Sequence, residues 1–117
     1  MTAEDFRRSA LACGGAVESA HMDHPDFRVN KKIFASLGYP DEEWAMVKLT
    51  PEQQRSFVEK EPAVFKPCNG AWGRRGCTNV HLASAQQKVV HSAIEAAAGN
   101  LNFPAAAKRK SKSKQKL

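Results

Sequence analysis

No run of apolar residues in this 117-residue chain approaches the ~20 needed for a helix to span a bilayer, although 42% of its residues are hydrophobic. A helical membrane protein is therefore not expected. Aromatic residues make up only 8% of the chain, with a single tyrosine, which with its length suits one compact domain and leaves little room for two. Cysteine is confined to Cys13, Cys68 and Cys77. This odd, sparse set is not a disulfide scaffold and fits a reducing cytoplasmic compartment. The opening Met1-Thr2-Ala3-Glu4-Asp5 lacks the basic and apolar regions of a secretory signal, and Gln115-Lys116-Leu117 is not the peroxisomal tripeptide. There is no internal repeat.

Acid is missing from one end. All twelve Asp and Glu lie in residues 1–103 beside twelve Lys and Arg, so that portion is formally neutral, 12 − 12 = 0. The net charge of +6 comes from Lys108, Arg109, Lys110, Lys112, Lys114 and Lys116. Residues 104–117 combine dense like charge with alanines and one leucine, too little apolar surface to order a chain, so a disordered basic tail is expected after a domain at 1–103.

Within the domain, Thr2 with Asp5 forms a capping box for a helix reaching Ala12, with Phe6, Ala10 and Cys13 on one side and Gly14-Gly15 as its end. Period-two alternation then marks strands through Val17, Ser19 and His21 and through Phe27 and Val29. A tight hairpin is predicted at Asn30-Lys31, followed by a strand over Lys32–Leu37, a turn at Gly38-Tyr39-Pro40-Asp41 and a fourth strand over Trp44–Leu49. Thr50-Pro51-Glu52-Gln53 is a capping box with Pro at the first helical position, predicting a helix over Pro51–Lys60. Pro62 and Pro67 place residues 62–71 in turns or extended loop, and Cys77–Leu82 is a fifth strand. Ser84 and Gln87 suggest a further capping box, and Val89, Val90, Ala93, Ile94 and Ala97 make the stripe of a last helix that Gly99-Asn100 would stop. The order α-β-β-β-β-α-β-α predicts an α+β fold, an antiparallel sheet with helices packed on one face.

The run His21-Met22-Asp23-His24-Pro25-Asp26-Phe27-Arg28-Val29-Asn30-Lys31-Lys32-Ile33-Phe34-Ala35 resembles the MmcQ/YjbR-like family of small, mostly bacterial proteins. Leu37-Gly38-Tyr39, Met46–Gln54 and Gly70-Ala71-Trp72-Gly73-Arg74-Arg75-Gly76 extend the resemblance over most of residues 2–100. It implies a double-wing α+β fold similar to CyaY and to type III secretion chaperones. It also implies DNA binding, by fold similarity to a phage transcription factor domain, and brings no catalytic residues or cofactor. The Lys-rich tail lies outside the family domain.

Trp72-Gly73-Arg74-Arg75-Gly76 admits two readings. Paired guanidiniums beside an indole can clamp phosphate while the ring stacks on a base. Alternatively, Trp72 fills the core, the glycines serve backbone geometry, and an arginine stacks on the indole or pairs with an acid such as Glu43. His21, His24, Cys68, Cys77 and His81 have poor spacing for a metal site, and no metal is expected. Neither Cys77 with His81 nor Cys13 with His21 has a visible group to orient the base, so no enzyme is expected. Asp41-Glu42-Glu43 reads as a solvated turn. Six tail charges meeting duplex phosphates would give a log–log salt slope of about −5.

The expectation is thus a non-enzymatic nucleic-acid-binding protein, DNA before RNA, using the tail, Trp72, Arg74 and Arg75, with Lys32 and Lys48 as weaker candidates. The alternative is a protein-interaction module, since the secretion-chaperone fold holds partner segments. Oligomeric state is left open.

Overall fold

Helix α1 (Ala3–Leu11) starts where the sequence places it: Asp5 N donates to Thr2 Oγ1 and Thr2 N to Asp5 Oδ2, both at 3.0 Å. Strands β1 (Val17–His21), β2 (His24–Val29), β3 (Lys32–Leu37) and β4 (Trp44–Lys48) follow as a meander. These elements come from a computed structural model, which describes residues 1–38 and 41–102. The turn residues Tyr39 and Pro40, and residues 103–117, which include the whole expected tail at 104–117 with its six bases, lie outside the described residues.

The first two of the meander's three hairpins turn through pairs in the left-handed region, Met22 and Asp23 (φ 49° and 66°) and Asn30 and Lys31 (φ 53° and 69°). Two consecutive positive φ values define the type I′ turn, whose twist matches that of the flanking strands. Helix α2 (Pro51–Lys60) carries the second capping box as predicted, with Gln53 N donating to Thr50 Oγ1 at 3.1 Å and Thr50 N to Gln53 Oε1 at 2.9 Å.

The stretch 62–71 holds more structure than its prolines suggest. A three-residue strand β5 (Phe65–Pro67) and a five-residue helix α3 (Gly70–Arg74) precede β6 (Cys77–His81). The antiparallel sheet therefore has six strands, in the order β1-β2-β3-β4-β6-β5, and β5 is an edge strand, where Pro67 costs no ladder hydrogen bond.

A second correction concerns the last helix. Ser84 does not cap it; its hydroxyl lies 2.8 Å from His81 Nδ1 within a 3-10 turn at Leu82–Ser84, and α4 begins at Gln87. Nor does Gly99-Asn100 stop it, for α4 continues to Asn102. Tertiary partners carry the extra turn: Asn100 Nδ2 donates to Gln53 Oε1 at 2.9 Å, and the Leu101 carbonyl accepts from Asn30 Nδ2 at 2.9 Å.

α1 and α4 pack together, and α4 covers β2, β3 and β4. Phe6, Phe27, Phe34, Phe65, Val29, Val47, Val80, Val90 and Ile94 are fully buried between helices and sheet. Register shifts between Phe27 and Arg28, so Phe34 and Ala35 share one partner position and are both fully buried. The fold is the α+β architecture expected, with β5 and α3 added to the predicted order.

Candidate nucleic-acid interface

Period-two alternation buries Ala45 and Val47 of β4, and Thr78 and Val80 of β6, while their neighbours remain partly exposed on the opposite face. In register, that outer face sets Trp44 against His81, Met46 against Asn79 and Lys48 against Cys77. The Trp44 and His81 rings are 4.7 Å apart.

On β2 the same face carries Asp26 and Arg28. The Asp26 carboxylate is fully buried and takes hydrogen bonds from Arg28 Nε (2.8 Å), Arg28 Nη2 (3.0 Å) and His21 Nδ1 (2.8 Å). Arg28 is the largest influence holding this carboxyl below the usual aspartate range, with His21 adding to it and burial opposing. The folded pKa is thus below the unfolded value of about 3.9, so the native state binds fewer protons. The cluster's stabilisation is complete above about pH 4 and is lost as pH falls through the folded value. Urea midpoints should accordingly drop more between pH 7 and pH 3 for the parent protein than for Asp26→Asn, which is less stable at pH 7.

The Arg28 guanidinium, oriented by Asp26, forms one wall of an open pocket of about 390 Å³ whose other lining residues are Lys31, Lys32, Ile33, Lys48 and Leu101. Four of its six lining residues are basic and none is acidic. The hairpin at Asn30-Lys31 brings Lys31 and Lys32 to the pocket, strand pairing brings Lys48, and the added turn of α4 brings Leu101. Among the described residues no carboxylate lies within ion-pair distance of Lys31, Lys32 or Lys48.

Lys48 joins the pocket to a second feature. Its Nζ lies 5.5 Å from the centre of the Trp72 ring, and Arg75 Cζ lies 6.0 Å from it. Trp72 is 60% exposed, so it does not fill the core. The cause is its neighbour: Gly73 faces inward, where a Cβ would sit 1.8 Å from the Cys68 carbonyl oxygen, and this turns Trp72 outward from α3. Of the arginine contacts expected, that of Arg75 with the indole lies at the outer limit of cation–π range. Pairing of an arginine with Glu43 is not observed, since Glu43 Oε1 lies 3.4 Å from His81 Nε2. Arg74 is exposed on α3.

The structure brings together Lys32, Lys48, Trp72 and Arg75 of the sequence candidates. Arg28 and Lys31 were missed, although one signal was present: Arg28 shares the period-two face of Asp26, and Lys31 sits in the predicted turn. Of the metal candidates, His21 is committed to Asp26 and His81 to Ser84, and among the described residues no three His, Cys, Asp or Glu side chains gather. Asp41 Oδ1 accepts from Glu43 N at 2.8 Å, a local turn as expected. Among the described residues no helix is long and apolar enough to cross a membrane.

Fold and site together define a small α+β protein with a helix-covered sheet face and a cationic pocket beside an exposed indole. A family model, YjbR, matches residues 11–97, and the chain belongs to the YjbR family. The crystal structure of Deinococcus radiodurans protein DR2400, with the family-model domain DUF419, is similar at TM-score 0.67 and 14% identity, over 82% of this chain and 75% of that one. At that identity the likeness concerns the fold. No curated protein matches the chain.

Proposed function

We propose that the protein is a non-enzymatic, cytoplasmic nucleic-acid-binding protein, with single-stranded DNA as its polymer. Phosphates enter the pocket of Arg28, Lys31, Lys32 and Lys48, a base stacks on Trp72, and the bases at 108–116 add electrostatic attraction. The observation that carries this reading is the convergence on one pocket of three lysines with no carboxylate in ion-pair distance among the described residues, beside Arg28, whose own charge is matched by Asp26, in a domain whose formal charge is zero. Single strands suit the exposed indole because a duplex hides its base faces, whereas an unpaired base presents one. Leu101 lines the pocket, so the basic run begins only a few residues along the chain from it.

The test is a titration of the full chain with single- and double-stranded DNA and RNA at 50 and 200 mM salt. Trp72→Ala should weaken single-stranded binding by roughly 5- to 150-fold, the ~1–3 kcal/mol of one base–aromatic stack, with little change in salt slope. Ending the chain at Phe103 should make the slope shallower by about 5 if all six tail bases meet duplex phosphates. Absence of binding at 50 mM salt, or parent-like binding by Trp72→Ala, sinks the assignment.

The protein-interaction reading has one observation of its own: edge strand β1 is exposed along its length, with Val17 58% exposed and Met22 of the following turn 85% exposed. A partner retained after nuclease treatment would favour it.

A further inference from the structure

The sequence spacing of Cys68 and Cys77 says nothing in particular, but their placement does. Pairing of β5 with β6 runs Phe65↔Val80, Lys66↔Asn79, Pro67↔Thr78, and the next step sets Cys68 opposite Cys77, with Cys68 N donating to the Cys77 carbonyl at 2.9 Å. Opposed residues in such a hydrogen-bonded pair have Cα atoms about 5.5 Å apart, inside the ~4.4–6.8 Å range a disulfide bridges. The two sulfurs lie 2.9 Å apart, less than an ångström beyond the ~2.05 Å of a bonded pair. Both residues are half-buried and free, so a small reagent can reach them.

We infer that Cys68 and Cys77 form a dithiol site that undergoes thiol–disulfide exchange with low-molecular-weight disulfides. Cys77 is the attacking sulfur. It accepts the Cys68 S–H and lies in register with Lys48, whose charge favours a thiolate; together these hold the Cys77 thiol below the usual cysteine range against the effect of burial. Cys68, the donor, is pushed up and serves as the resolving thiol.

The exchange balances in two steps. The Cys77 thiolate attacks one sulfur of R–S–S–R, forming a mixed disulfide while the R–S bond partner leaves as a thiolate and takes a proton from water. Cys68 then loses its proton to water and attacks Cys77 Sγ, releasing the second thiolate, which is protonated in turn. Two cysteine thiols are oxidised to one disulfide and the reagent is reduced to two thiols. The bond closes a loop that carries Trp72, Arg74 and Arg75.

Cys13 supplies an internal control. Its S–H points to the Ser9 carbonyl at 3.7 Å, and burial, with Glu95 nearby, pushes its thiol up. The reduced full chain is incubated with glutathione disulfide at pH 7 and followed by intact mass and peptide mapping. The expected product has lost two hydrogens, contains a Cys68–Cys77 peptide and keeps Cys13 free. Cys68→Ala should instead stop at a mixed disulfide on Cys77, and Cys77→Ala should react at least tenfold more slowly. Persistence of all three thiols in the parent chain, faster reaction at Cys13, or a stable mixed disulfide in the parent without the intrachain bond overturns the inference. The parent experiment decides the matter even if a variant fails to fold, and its result is independent of nucleic-acid binding.

Discussion

Gly76→Ala is expected to destabilise the protein by roughly 3 kcal/mol or more. Gly76 has φ +110°, a conformation that L side chains rarely adopt, and an added Cβ would sit 1.9 Å from the Leu49 carbonyl oxygen and 2.9 Å from Thr50 C. Left-handed backbone alone costs ~1–2 kcal/mol for a residue with a Cβ, and overpacking typically adds ~1–3 kcal/mol. The backbone cannot simply step aside, because Leu49 N donates to the Gly76 carbonyl at 3.2 Å and Thr78 Oγ1 to the same oxygen at 2.8 Å. Displacing Leu49 also disturbs Thr50, the cap of α2. Against the ~5–15 kcal/mol stability of an ordinary domain such a loss is severe. Gly99→Ala is the matched comparison: it lies within α4 and a Cβ there meets nothing within 4 Å. That substitution should stabilise by about 0.5–1 kcal/mol, as expected for glycine to alanine in a helix. Urea midpoints of opposite sign check the pair, and equal midpoints contradict the account.

The second large effect concerns binding. Lys32→Glu with Lys48→Glu removes two cations from the pocket and places two carboxylates there, at positions whose side chains are exposed or half-buried. Each lost phosphate contact reduces the log–log salt slope by about 0.9 on duplex and about 0.7 on single strands. For duplex, loss of two contacts weakens binding by about 200-fold at 50 mM salt and about 20-fold at 200 mM, and charge reversal adds repulsion. The discriminating feature is the salt dependence: a variant that had merely unfolded would lose binding at all salt concentrations and lose its cooperative urea transition. Parent-like affinity with an intact transition would show that the pocket meets no phosphate.

How much of this was legible in the chain follows from how far apart the deciding residues lie. The Thr2 and Thr50 capping boxes and the Asn30-Lys31 turn are written within four consecutive residues, and all three form as read. The same local logic failed at Gly99-Asn100, because the bonds that extend α4 come from Gln53 and Asn30, each more than forty residues away. It failed again at 62–71, where Phe65–Pro67 is a strand only because β6 offers it a ladder. Trp72 was undecided in the sequence because packing and ligand contact use the same residue type, and the close approach of Gly73 to Cys68 resolved it.

The amino-acid order alone settled the α+β class, both capped helices, the meander and the charge asymmetry, since each depends on periodicity, short-range hydrogen bonding or simple counting. Tertiary structure decided everything that requires two distant segments to meet: Arg28 and Lys48 around one pocket, the outward Trp72 beneath Lys48 and Arg75, and the two sulfurs of Cys68 and Cys77. Strand register makes those meetings, and register is a property of the whole sheet.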